Sequence, residues 1–189
     1  MEGFLAMDGG FLLWIQNNLR NPVLDPFFRT ITHLGDGGMI WILLTLALLI
    51  MPKTRRIGFY SVCALICSTV VNSLILKNLV ARTRPYEILE GLEILISRPF
   101  GFSFPSGHSA TAFACAASVC MTVPDKKYRV WTVLLMVLAA LIAFSRLYVG
   151  VHFPTDVICG AVSGILCSLL GVRIGKKLLK TPLIARIVS

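Results

Sequence analysis

Five apolar runs dominate the chain, over roughly residues 37–51, 57–80, 107–123, 130–148 and 155–175. A helix needs about 20 residues to cross the hydrocarbon core of a bilayer. Runs of this length and spacing therefore confine the chain to a polytopic bundle. The first and third are short for a crossing and need tilt or neighbours to complete it. Only 14% of the 189 residues are charged and 56% are hydrophobic, whereas a soluble globular chain carries about 25% charge. Too little polar surface is left to cover a water-facing globule. The expected fold is all-α: a polytopic transmembrane helical bundle of five clear spans plus an N-terminal helix. The whole of 1–189 reads as one integral-membrane domain, with an amphipathic segment over 1–36 and the bundle over 37–180.

The N-terminal stretch "FLAMDGGFLLWIQNNLRNPVLDPFFRTITHLG" is apolar but broken by charges, Pro22 and Pro26. It suits an amphipathic helix at the interface, or a broken sixth span. Glu2 and Asp8 stand where a signal peptide would be basic, so no cleavable leader is expected. Cys63, Cys67, Cys115, Cys120, Cys159 and Cys167 all lie in apolar runs without a C-x-x-C pair. They read as small buried hydrophobes.

The net charge of +9 would suggest nucleic acid in a soluble protein. Here there is no basic stripe with interleaved aromatics, and nucleic-acid binding is set aside. Eleven of the eighteen Lys and Arg fall in "MPKTRR" (51–56), "PDKKYR" (124–129) and the tail after 172. With five alternating spans these lie on one side, which the positive-inside rule makes cytoplasmic, along with the C-terminus. The others are Arg20, Arg29, Lys77, Arg82, Arg84, Arg98 and Arg146, at the opposite side or in the N-terminal segment.

That opposite face carries the informative residues. Lys77 lies near the end of the second run with Arg84 seven residues later, His108 is at the start of the third, Arg146 at the end of the fourth, and His152 and Asp156 frame the start of the fifth. Charges at such depth are costly and face a cavity or a partner. Their convergence on one face marks a site. Three cations suit a phosphate or diphosphate, since arginine grips phosphate oxygens as a fork and lysine acts as a point charge. "FPSGHSA" (104–110) adds a turn before a helix, where Gly107 admits close approach and unpaired N–H groups favour an anion. His152 and Asp156 are four apart. A hydrogen bond from one ring nitrogen to Asp156 would fix the tautomer and leave the other as nucleophile or base. His108 would then be the second proton-transfer group.

Two rival chemistries are weaker. A metal on His108, His152 and Asp156 would be repelled by three cations and has few carboxylates to hold it. Ser106 as a hydrolase nucleophile lacks the G-x-S-x-G elbow and leaves the cations without a role. His33 beside Asp36 reads as a cap of the first span or as the cavity mouth. Glu87, Glu90 and Glu93 in "ILEGLEILI" suit a helix lying on the outer interface.

"KNLVARTRP" (77–85), "PSGH" (105–108) and "SRLYVGVHFPTD" (145–156) together resemble the three-part signature of the type 2 phosphatidic acid phosphatase superfamily. That family includes membrane lipid phosphatases and soluble vanadium haloperoxidases. The resemblance implies that His152 forms a phosphohistidine, that Asp156 orients it and that His108 is the general acid. It implies that Lys77, Arg84, Arg146, Ser106 and the Gly107 backbone bind phosphate, with no metal or other cofactor. Membrane members commonly show six spans, which leaves the N-terminal arrangement open. The hydropathy disfavours the haloperoxidase branch. The implied substrate is a lipid phosphate or diphosphate entering from the outer leaflet of the cell membrane. Undecaprenyl diphosphate fits the resemblance to small bacterial members, with phosphatidic acid and phosphatidylglycerophosphate as alternatives. A lipid-phosphate transporter or binding protein is the reading of another class. An oriented His152–Asp156 pair speaks against it, since binding needs no nucleophile.

Overall fold

The structure, a computed structural model, describes residues 2–188. Its helices are α1 (Glu2–Leu19), α2 (Leu24–Leu34), α3 (Met39–Ile50), α4 (Arg55–Ser68), α5 (Lys77–Val80), α6 (Pro85–Ile88), α7 (Gly107–Thr122), α8 (Arg129–Tyr148), α9 (Pro154–Leu178) and α10 (Pro182–Val188). No strand occurs among the described residues. A π-helical stretch, Thr69–Leu76, joins α4 to α5.

The expectation of five clear spans is not met. Among the described residues three helical segments are long and apolar enough to cross a membrane: Arg55–Ile88, Arg129–Tyr148 and Pro154–Leu178. A fourth crossing exists if α2 and the segment Asp36–Ile50, bent by 45°, act as one broken span. The break falls at Gly35, and just beyond it Gly37 and Gly38 take positive φ values of 59° and 72° before α3 begins. The third apolar run forms only the 16 residues of α7, about 24 Å of helix. Its alanines and serines face protein rather than lipid.

This central helix explains the packing. α7 lies against α4, α8 and α9. Ala110, Ala112, Ala114, Cys115, Ala116 and Ser118 along it are buried. Lipid tails are as apolar as leucine, so helices in a membrane associate through close packing of small residues. α9 supplies the matching surface. A Cβ at Gly160 would stand 2.6 Å from the Ser106 carbonyl oxygen, and one at Gly171 would stand 2.5 Å from the Ala64 Cα. The first contact holds the start of α9 against the start of α7, and the second holds its later part against α4. A second cluster, with Leu12, Ile15, Phe28, Tyr148 and Phe153, seats α1 and α2 on the other side of α8.

The acidic stretch after α6 is not the interfacial helix expected from "ILEGLEILI". Helix ends at Ile88, Leu89 is extended, and Gly91 takes φ 77°. The segment then runs as a loop. It is tied to α1 by the Gln16 side chain, which donates to the Gly91 carbonyl and accepts from the Glu93 N–H, both at 2.8 Å.

Candidate active site

Local sequence explains where the polar side chains stand. Arg84 precedes Pro85, which holds it extended as the N-cap of α6. Ser106 caps α7, its Oγ accepting from the Ser109 N–H at 3.4 Å. Pro154 occupies the first turn of α9, and the Asp156 carboxylate accepts from the Phe153 N–H at 2.9 Å. Between α8 and α9, Gly150 takes φ 80°. That conformation turns the chain back and carries His152 inward.

His152 is 2% exposed and Asp156 is fully buried. The ring's Nδ1 lies 3.6 Å from Asp156 Oδ2, longer than the hydrogen bond expected from the sequence. The space is shared with Ser103, whose Oγ donates to Asp156 Oδ2 at 2.5 Å and lies 3.5 Å from His152 Nδ1. The opposite nitrogen, Nε2, faces Arg84 Nη1 at 3.5 Å. Burial pushes the His152 imidazole down to about 3, with Asp156 opposing and the Arg146 and Arg84 charges reinforcing the shift. At neutral pH the ring is uncharged and one nitrogen keeps its lone pair.

Arg84 is anchored through backbone carbonyls of Gly101, Val151 and Phe100 at 2.8, 3.0 and 3.3 Å. Arg146 is 2% exposed and donates from Nη1 to Thr32 Oγ1 at 2.6 Å. Its Nε is buried with no partner among the described residues. A buried guanidinium N–H left unmatched is expensive, and an anion oxygen would satisfy it. Lys77, the first residue after the π-helical stretch, is close enough to sense the charges of Arg84, Arg146 and Asp156. Beside Gly107 there is open space where a Cβ would meet nothing within 4 Å. The Ser106 N–H is already engaged, donating to the Asp156 carbonyl at 3.0 Å.

His108 stands apart from the other histidine. Its Nε2 meets Asp36 Oδ1 at 3.0 Å, and the other oxygen of Asp36 meets His33 Nδ1 at 2.8 Å. The ligand set weighed from the sequence, His108 with His152 and Asp156, is thus divided between two carboxylates. No three His, Cys, Asp or Glu side chains gather as metal ligands among the described residues.

Several participants escaped the sequence reading. Arg82 donates to Asp156 Oδ1 at 2.8 Å, Thr155 Oγ1 at 2.7 Å and Asp8 Oδ2 at 2.8 Å. Ser103 lies only three residues before Ser106. A lone acid such as Asp8 in an apolar helix is itself a signal of a buried partner. A cavity of about 880 Å³ is lined by Leu44, Leu48, Lys53, Val123 and Trp131 at the other end of the bundle. It carries no convergent polar groups. A smaller one of about 220 Å³ opens between Arg82, Arg84, Glu87 and Phe102, and chemistry favours this end.

Residues 58–180 match the model of the PAP2 superfamily. An undecaprenyl-diphosphatase of Sulfolobus acidocaldarius is 35% identical over 136 residues, covering 71% of this chain. The chain spans 63% of that relative's length over the match. The crystal structure of Aquifex aeolicus LpxE aligns with a TM-score of 0.74 at 32% identity, covering 87% of this chain and 93% of that one. The crystal structure of the first transmembrane PAP2 type phosphatidylglycerolphosphate phosphatase from Bacillus subtilis aligns with a TM-score of 0.75 at 26% identity. That alignment covers 94% of this chain and 88% of the other.

Proposed function

The chain belongs to the PAP2 superfamily, and on that premise we propose that it is a multi-pass membrane phosphatase acting on a lipid phosphate or diphosphate. One observation carries the reading. A buried, uncharged His152 presents Nε2 to Arg84 while its other nitrogen faces Ser103 and Asp156. A residue that only bound phosphate would not need a neutral imidazole held on both sides.

In the first step His152 Nε2 attacks phosphorus, and the bond to the leaving oxygen breaks. His108 gives that oxygen its proton, releasing the lipid alcohol or lipid monophosphate. In the second step His108 takes a proton from water, whose oxygen attacks the phosphohistidine and frees inorganic phosphate and His152. Lys77, Arg84 and Arg146 hold the non-bridging oxygens, Arg146 through its unmatched Nε, with Ser106 and the Gly107 backbone at the start of α7. These donors stand in place before charge develops, which is the form of stabilisation that lowers a barrier most. Asp156, with the Ser103 hydroxyl it holds, orients the Nδ1 side of His152, and no metal takes part.

The basic loops at the opposite end support a site on the extracytoplasmic face of the cell membrane and a cytoplasmic C-terminus. Undecaprenyl diphosphate is the first substrate to test, because a relative named for that activity is 35% identical. Phosphatidylglycerophosphate follows, because of the likeness to the Bacillus subtilis enzyme.

The test is phosphate release from undecaprenyl diphosphate, phosphatidic acid and phosphatidylglycerophosphate by detergent-solubilised protein with EDTA present. Release that disappears in His152→Ala is expected. No release across the panel, or a strict metal requirement, rules the reading out. Movement of intact lipid without release would mark a transporter.

A further inference from the structure

Arg82 lies inside the first signature stretch at a position to which the signature gives no role, and Asp8 lies outside all three stretches, yet both are committed to the site. Asp8 lies in the first half of α1 and is 3% exposed. The Arg82 side chain is 16% exposed. Its guanidinium is a fork with one prong on each carboxylate: Nη1 on Asp156 Oδ1 and Nη2 on Asp8 Oδ2, each at 2.8 Å. Nη1 also reaches Thr155 Oγ1 at 2.7 Å, and the guanidinium carbon stacks 3.9 Å over the Phe153 ring. Asp8 closes the loop by accepting from the Thr155 N–H at 3.2 Å and its hydroxyl at 2.5 Å.

We propose that Arg82 and Asp8 are positioning residues for Asp156, so that α1 takes part in setting the nucleophile. This rests on the phosphatase reading. Asp156 has two oxygens with separate tasks. Oδ2 accepts from Ser103 and the Phe153 N–H and faces His152. Oδ1 is held by Arg82. Rotation of the carboxylate would exchange these roles, and the Arg82 fork prevents it. Asp8 in turn fixes the fork: without it Nη2 has no carboxylate and the guanidinium can swing. Arginine suits this place because its planar donors serve two carboxylates at once, which a lysine ammonium cannot do in that geometry.

A double-mutant cycle tests the assignment. A small misplacement of a reacting group costs about 10²-fold in rate. Arg82→Gln should lower kcat by about that factor, and Asp8→Asn, one step further out, by about tenfold. KM and inhibition by inorganic phosphate should stay within about threefold, because the phosphate-holding cations are untouched. In an Asp156→Asn background neither substitution should cost more, since both act through Asp156. Arg82→Lys should recover only part of the loss. Additive losses in that background, an unchanged kcat in Asp8→Asn, or weakened phosphate inhibition would each overturn the assignment. Asp8→Asn is close to isosteric and carries the test if Arg82→Gln does not elute as folded protein. Failure of the phosphatase reading shows separately, as wild-type protein without release or His152→Ala that retains it.

Discussion

The two histidine–aspartate pairs differ in depth. His152 and Asp156 have side chains 3% and 0% exposed, and each oxygen of Asp156 has a donor. His108 and Asp36 are 18% and 49% exposed, and Asp36 divides itself between two histidines. A sealed pair holds one atom on one trajectory, as a nucleophile requires. An open pair trades protons with water, as an acid that must recharge requires. On the proposed reading the same two residue types take opposite tasks, because one pair is sealed at the start of α9 and the other lies at the rim beside α2.

The largest expected effect breaks the sealed pair. His152→Ala should remove phosphate release by at least about 10³-fold, since covalent transfer has no other nucleophile, while binding of the lipid persists. Single-turnover assays for a phosphorylated intermediate check this directly. His108→Gln should cost on the order of 10² to 10⁴-fold on a lipid substrate, the usual contribution of a general acid. The loss should shrink for an aryl phosphate whose leaving group needs no proton, and an equal loss on both would remove His108 from that role. Replacing the two carboxylates sharpens the contrast. Asp156→Asn should lower kcat about 10²-fold. Asp36→Asn should lower it about tenfold, the worth of one charge-assisted hydrogen bond at a partly exposed site. Equal effects would erase the distinction between the pairs.

The smallest effect concerns stability. Folded His152 titrates at about 3 against 6.5 for an unperturbed imidazole. Between those values the unfolded chain takes up a proton that the folded chain refuses. Its contribution is fully present above about pH 6.5 and is lost as pH falls toward about 3. The thermal midpoint in detergent should fall over that window, and fall less in His152→Gln.

Much of the site could be read along the chain because its members are tied to helix ends. Arg146 ends one apolar run and Asp156 starts the next, so alternation alone brings them to one face. Ser106, Gly107 and His108 lie at a helix start for the same local reason. The partners of these residues were not readable. Arg82 reads as one more basic residue near a membrane, and Asp8 as an acid that argues against a signal peptide. They are 74 residues apart, and nothing in either neighbourhood encodes the meeting. The hydrogen bond anticipated between His152 and Asp156 depended on spacing alone. It gave way to a 3.6 Å contact because Ser103, from a loop 53 residues earlier, occupies the oxygen.

Sequence alone determined that this chain is a bundle of apolar helices with Lys77, Arg84, Arg146, two histidines and a carboxylate gathered at one end. Hydropathy and helix termini are local properties, and they add up residue by residue. Tertiary structure decided how many segments are long enough to cross a membrane, which carboxylate holds which histidine, and that α1 reaches Asp156 through Arg82. Those outcomes depend on contacts between residues far apart in the chain, such as Asp8 with Arg82 and Ser103 with Asp156, and are written in no single stretch of sequence.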